Sequence, residues 1–199
     1  MLSILEERKI SNFIIGVDEV GRGPLAGPVI SAAVILPLDL DCPDLNDSKK
    51  LTKIKREKIF KILKNKIKYK IGIAEVNEID KYNILQASLM SMKRAVDQFN
   101  LPIDYKILVD GPWSFDQNNK NILTKIKGDS QYPSIAAASI FAKVYRDELM
   151  SKLAKEYCHY SWEQNSGYGT QKHLKAIKEY GITIHHRKSF APIHKILSP

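Results

Sequence analysis

The stretch "IIGVDEVGRGPLAGPVISAAVIL", Ile14–Leu36, decides how this chain is read. Its two ends, within "NFIIGV" and "PVISAAVIL", are rich in β-branched residues and predict two neighbouring buried strands. The Gly/Pro cluster between them predicts a tight connection. Into this apolar frame the chain sets two acids, Asp18 and Glu19, and an arginine, Arg22. Charge between two apolar strands needs a reason, which the rest of the chain supplies.

Downstream, the pattern alternates. From Leu51, Ile59, Ile62, Leu63 and Ile67 fall at helical spacing among lysines, which predicts a basic amphipathic helix. "YKIGIAEV", Tyr69–Val76, predicts a third strand. Leu85, Leu89, Met92, Val96 and Phe99 then repeat every three or four residues, and Pro102 closes that helix from outside. "DYKILVDG" predicts a fourth strand ending at Asp110 and Gly111, and "NILTKIKGD" a fifth. Ser134 to about Tyr157 predicts a helix with Phe141, Val144, Tyr145 and Leu149 on one stripe. Thr170 suits the cap of a last helix and Gly181 its stop. Strands that first cluster and then alternate with helices imply an α/β domain around a mixed sheet.

At 199 residues and 44% hydrophobic, the chain buries enough surface for one compact domain with at most a small appendage. Lys plus Arg number 31 against 22 for Asp plus Glu, and the net charge of +9 favours a polyanionic partner: nucleic acid or an acidic membrane surface. No run approaches the roughly 20 apolar residues of a membrane span, and "MLSILEERKI" is too acidic for a secretory signal. A cytoplasmic protein is expected. Cys42 and Cys158 stand far apart without a ligand cluster, so free thiols are expected rather than a disulfide framework or a zinc site.

The acids all fall on segment ends. Asp18 and Glu19 end the first strand, Asp110 the fourth, and Asp129 lies between the fifth strand and a helix, where sites in α/β sheets tend to form. Strand side chains alternate faces, so Asp18 and Glu19 share one site only if the chain leaves strand geometry there, which Gly21 and Gly23 would permit. Carboxylates brought together repel, and a hard cation such as Mg²⁺ or Mn²⁺ holds them ionised. Singly, each acid has an ordinary explanation: Asp110–Gly111 as a turn, Asp129 as a cap, Asp18–Glu19 as surface charge.

Taken together, "GVDEVGRGPLAGPV", "NDSKKL", "NEIDKYNIL", "LVDG", "KGDS", "AAASIFAKVYRD", "GYGT" and "HHRKSFAP" occur in an order that resembles the ribonuclease HII family nearly end to end. Only the extreme N-terminus and the segment after the fourth strand lie outside the resemblance. It implies a ribonuclease H-like fold: a central mixed five-stranded sheet, flanking helices and a small helical C-terminal part. The expected division is a catalytic domain over 1–158 and the C-terminal part over 159–199. The implied activity is endonucleolytic: cutting the RNA strand of RNA–DNA hybrids and incising duplex DNA 5′ of a single embedded ribonucleotide.

By resemblance the metal ligands are Asp18, Glu19, Asp110 and Asp129, and the expected cofactor is Mg²⁺ or Mn²⁺, two ions with substrate bound. Two ions roughly 3.5–4 Å apart activate a water and stabilise the leaving oxygen, which leaves a 3′-hydroxyl and a 5′-phosphate. Asp147 in "YRD" falls well inside a helix and is read as structural. Gly21 and Gly23 let backbone approach the substrate, Arg22 offers charge-assisted donors for phosphate, and sugar sensing requires contact with the 2′-hydroxyl. The resemblance also implies that Tyr168 of "GYGT" packs on the adjoining deoxyribose; otherwise it reads as a loop aromatic. Asn46, Ser48, Lys49 and Lys50 of "NDSKKL" are candidates for phosphate contacts, because a short polar loop offers side chains and backbone N–H groups. "HHRKSF" reads as a second basic cluster, with His185 and His186 assigned to structure or nucleic-acid proximity rather than to a transition metal.

Three alternatives follow. Ribonuclease HIII shares the chemistry, but in that family the fourth acid is Glu, "GRG" is altered and a sizeable domain precedes the first strand, whereas here the first motif starts at Gly16. Another phosphoryl-transfer enzyme on this fold would lack "GRG" with "GYGT". A catalytically dead binding module would have lost an acid. The expected partners are RNA–DNA hybrid and ribonucleotide-containing duplex DNA, with no membrane. The protein is expected to be monomeric, and contact with a replication clamp is not expected from the short tail "HKILSP".

Overall fold

The computed structural model describes residues 2–40, 45 and 51–197. The elements run α1 (Ile4–Arg8), β1 (Phe13–Val20), β2 (Val29–Ile35), α2 (Lys53–Leu63), β3 (Lys68–Ala74), α3 (Val76–Val96), β4 (Tyr105–Asp110), β5 (Ile122–Lys125), α4 (Pro133–Glu156), α5 (Trp162–Asn165), α6 (Gln171–Tyr180) and α7 (Ala191–Leu197).

The five strands form one mixed sheet ordered β3-β2-β1-β4-β5. β1 pairs antiparallel with β2 and parallel with β4, and β4 pairs parallel with β5. Alternation divides the core. Ile15, Val17, Ile107 and Val109 pack with Met92, Ala95 and Val96 of α3 on one face, while Ala32 and Val34 pack with α2 and with Ala136–Ala138 and Phe141 of α4 on the other. The parallel β1–β4 register sets Val17 opposite Val109, which brings the next residues, Asp18 and Asp110, level at the carboxyl ends of adjacent strands.

α4 lies close on β1 because the contact is made of small residues. A Cβ built at Gly16 would run into the backbone of Ser134 and Ile135, and Ile135 to Ala142 are all buried. Beyond α4, a third cluster joins Leu25, Ala26, Met150 and Ala154 to Tyr160, Trp162, Ile177 and Ile193, so residues after 158 rest on the β1–β2 connection and the end of α4.

The strand and helix expectations hold in type, and the differences are local. β1 remains a paired strand through Val20, with Asp18 opposite Ala32 and Glu19 opposite Ser31, so the chain does not leave strand geometry at the two acids. On α2 the docked stripe is Ile59 and Leu63. Ile62 is exposed, and Ile67 follows the helix. Tyr145 likewise turns partly to solvent, off the Phe141–Val144 stripe. β3 ends at Ala74, and α3 starts nine residues before Leu85, with Glu78 accepting from the Glu75 N–H at 3.0 Å. Asn83 interrupts α3 at φ 68°, ψ 166°, and its Oδ1 accepts the N–H groups of Leu85 and Gln86, restarting the helix as an N-cap does. Thr170 caps α6 and Gly181 ends it, as the sequence predicts. No helix among the described residues is long and apolar enough to cross a membrane.

Candidate active site

Three separated acids converge. Carboxylate oxygens of Asp18, Asp110 and Asp129 all lie within 4.8 Å of one another. β1 brings the first and β4 the second. Asp129 sits on the one-turn 3₁₀ segment Gly128–Ser130 that leads into α4. That turn is tied to the trio, because the Gly128 N–H donates to Asp110 Oδ1 at 2.7 Å. The N-cap position of α4 is Tyr132, three residues after Asp129.

Glu19 stands beside the trio rather than within it, since retained strand geometry sends consecutive side chains to opposite faces. Its carboxylate meets the Arg22 guanidinium at 3.4 Å.

Electrostatics make the trio a fit for a hard cation. Asp18 is 4% exposed. Burial first, then the charges of Glu19 and Asp110, push its carboxyl well above the usual range, against bonds from Ser139 and the Glu19 N–H that favour the ionised form. Burial raises Glu19 too, with Arg22 opposing and Asp110 adding to the rise. Carboxylates so crowded and desolvated, with oxygens converging from three segments, match the oxygen-donor set that Mg²⁺ or Mn²⁺ takes.

The "GRG" loop follows at once. Gly21 is buried at φ +95°, and a Cβ there would collide with the Arg146 side chain, so both conformation and space demand glycine. Arg22 and Gly23 are exposed. A Cβ on Gly23 would stand 3.4 Å from Tyr168 Cε1, which puts the Tyr168 ring beside this loop. Tyr168 is 45% exposed, and its loop is pinned by the Leu25 N–H donating to the Gly167 carbonyl at 2.8 Å. Asn46, Ser48, Lys49 and Lys50 lie outside the described residues.

A family model described as Ribonuclease HII matches residues 15–193. The chain belongs to the ribonuclease HII family. It is 52% identical over 182 residues to the ribonuclease HII of Pelagibacter ubique, covering 92% of this chain and 97% of that one. The crystal structure of ribonuclease H2 from Pyrococcus horikoshii superposes with a TM-score of 0.75 at 26% identity, over 92% of this chain and 96% of that one. Bst-RNase HIII, solved in complex with Mn²⁺, shares the fold at 18% identity with a TM-score of 0.71, over all of this chain and 73% of that one. The match over most of the chain separates ribonuclease HII from ribonuclease HIII and makes this protein a nuclease, an endoribonuclease of the ribonuclease HII family.

Asp147 lies within α4 and accepts from Lys143 Nζ at 2.7 Å and from Ser166 Oγ at 3.0 Å. It joins two segments and is outside the acidic trio. His186 is also structural: it is 1% exposed and hydrogen-bonds His173, Nε2 to Nε2, at 3.1 Å. "HHRKSF" is not a uniformly exposed basic cluster, because Arg187 is fully buried. Its hydrophobic stem and planar head fill the space under the "GRG" loop, where backbone carbonyls take the place of phosphate. Sequence reasoning missed this inward turn and that of Arg146. Neither "YRD" nor "HHRKSF" carries a local signal for it, because the carbonyls that take up the two guanidiniums belong to the distant β1–β2 connection and to Ser166.

Proposed function

We propose that this enzyme cuts the RNA strand of RNA–DNA hybrids and incises duplex DNA 5′ of a single embedded ribonucleotide. The observation that carries the reading is the convergence of Asp18, Asp110 and Asp129 within 4.8 Å beside a loop where glycine is sterically required and Tyr168 is close.

Asp18, Asp110 and Asp129, with Glu19 alongside, would hold the divalent ions. Bound Mg²⁺ or Mn²⁺ would supply an activated water and stabilisation of the leaving oxygen of the phosphodiester. The carboxylates position the charge and give up protons to do so, which a raised Asp18 resists until the cation arrives. Glu19 orients Arg22, whose half-exposed guanidinium is free to donate to a phosphate. The exposed backbone at Arg22 and Gly23 approaches the ribose, and the 2′-hydroxyl marks RNA against DNA. Tyr168 offers a ring face to the neighbouring deoxyribose. Asn46, Ser48, Lys49 and Lys50 serve as phosphate contacts in this proposal. Attack by water leaves 3′-hydroxyl and 5′-phosphate ends.

The test uses duplex DNA with one ribonucleotide, incubated with Mg²⁺, Mn²⁺ or EDTA, beside an all-DNA control and the Asp110→Asn variant. Metal-dependent incision 5′ of the ribonucleotide is expected, absent from the control and reduced at least about a hundredfold in the variant. Cleavage that persists in EDTA, or in Asp110→Asn, would overturn the metal reading.

A further inference from the structure

Two arginines are buried beneath the substrate loop with backbone for company. Arg146 on α4 and Arg187 before α7 are both fully buried, and among the described residues neither forms an ion pair. Arg187 Nε donates to the Gly27 carbonyl at 2.9 Å and Nη1 to the Arg22 carbonyl at 2.9 Å. Its Nη2 donates to Gly21 at 2.6 Å and Gly27 at 2.7 Å. Arg146 donates from Nε to Pro28 at 3.0 Å, from Nη2 to Ala26 at 3.0 Å and from Nη1 to Ser166 at 2.8 Å. The two rigid forks thus take up carbonyls 21, 22, 26, 27 and 28 of the β1–β2 connection, and one carbonyl of the segment that carries Tyr168.

This geometry has a direction. Across a trans peptide the carbonyl and the next N–H point oppositely, and no cis peptide is present. Carbonyls of Gly21 and Arg22 drawn inward to Arg187 therefore aim the N–H groups of Arg22 and Gly23 outward, on the exposed side of the loop. Arg146 reaches both the β1–β2 connection and Ser166, so it fixes the spacing between Gly23 and the Tyr168 ring. Burying two guanidiniums is expensive, and burial lowers Arg146 to about 10 and Arg187 to about 9. An apolar filler would avoid that cost but could not turn five loop carbonyls one way.

We propose that Arg146 and Arg187 are positioning residues for ribonucleotide selection: they orient the "GRG" backbone donors and set the gap to Tyr168, without taking part in metal binding. This rests on the reading of single-ribonucleotide incision given above.

The experiment compares wild type with Arg187→Lys and Arg146→Lys, which keep the charge but lose the fork. Steady-state kcat and KM are measured on duplex DNA with one ribonucleotide and on a long RNA–DNA hybrid, with Mn²⁺ binding followed by the thermal shift it produces. A junction-reading gap matters most for the single ribonucleotide. The expected result is a fall in kcat/KM of about a hundredfold on that substrate, the scale of a small misplacement, a fall about tenfold smaller on the hybrid, and an unchanged Mn²⁺ shift. Equal losses on both substrates, or a lost Mn²⁺ shift, would mean general structural support and overturn the proposal, as would unaltered kinetics. If Arg187→Lys does not fold, Arg146→Lys carries the test; if neither folds, the arginines serve folding and the proposal fails. Wild type that cuts the hybrid and leaves the single-ribonucleotide duplex intact would refute the functional reading itself, a result visible before any variant is made.

Discussion

Asp18 concentrates the cost of the site in one side chain. It is buried, faces Asp110 and Asp129, and has its carboxyl pushed well above the usual range. An unfolded aspartate ionises near about 3.9, so without metal its stabilising share is complete below that pH and is lost as pH rises through the higher folded value. Glu19, also raised by burial, adds in the same sense. In EDTA at pH 8, Asp18→Asn should therefore melt above wild type by about 2–4 °C, the shift that about 1 kcal/mol gives in a chain this long, and be inactive. The gap should close toward pH 4. Added Mn²⁺ should stabilise wild type more at pH 8 than at pH 5, because protons compete for the same oxygens. Thermal melts across pH with and without Mn²⁺ check both signs. Pattern placed all four acids at segment ends, and the resemblance, not the spacing, assigned them as ligands; the convergence of Asp18, Asp110 and Asp129 is what the structure adds. Glu19's offset could not be read from pattern, since it depends on β2 holding β1 as a strand to Val20.

α4 shows how an element is fixed partly by its own residues and partly by distant ones. Its alanine run permits close docking on β1, and Gly16 supplies the space. Gly16→Ala would press a methyl group into the backbone of Ser134 and Ile135, which cannot yield as a side chain would. A loss of about 3 kcal/mol is expected, at the upper end for overpacking, with a fall in Tm of roughly 6–12 °C; chemical denaturation measures it. Pro133 opens the helix one residue before the predicted start, at a position where its missing N–H costs nothing. The side chain that satisfies its first turn comes from elsewhere: buried Glu7 accepts from the Ser134 N–H at 3.1 Å and from the Ser134 hydroxyl. Periodicity found α2 and α4, but not which stripe residue stays wet. Ile62 and Tyr145 match the spacing and remain exposed because the neighbours that would cover them are placed by the sheet.

The C-terminal part rests on the β1–β2 connection and the end of α4 through its apolar cluster, and a polar chain holds it together internally. Trp162 Nε1 can only donate, so His173 Nε2 accepts from it, and His186 Nε2 donates to the same nitrogen, both at 3.1 Å. His173 Nδ1 then donates to the Tyr168 carbonyl at 2.9 Å, and His186 Nδ1 accepts the Thr183 N–H at 2.9 Å. Both rings are thus held neutral, and burial, with His173 and His185 nearby, pushes His186 down to about 4. The unfolded chain takes that proton from about pH 6.5 downward, so the contribution is complete above 6.5 and is lost as pH falls toward 4. Between pH 7.5 and 5 wild type should lose roughly 4–8 °C relative to His186→Gln, the effect of about 2 kcal/mol, because the opposing gain at Asp18 and Glu19 is common to both proteins. A wild-type profile parallel to the variant's would remove this anchor from the account.

Strand and helix types, caps at Thr170 and Gly181, and the acids at the segment ends follow from local pattern, because alternation, helical spacing and turn chemistry act over a few residues. Where Asp18, Asp110 and Asp129 meet follows from strand order and register, which are set by packing between distant segments. The same holds for Glu7 on Ser134, for the histidine pair, and for Arg146 and Arg187. A sequence shows that an arginine is charged. Whether that charge meets solvent or three backbone carbonyls is settled by what the folded chain leaves no other room for.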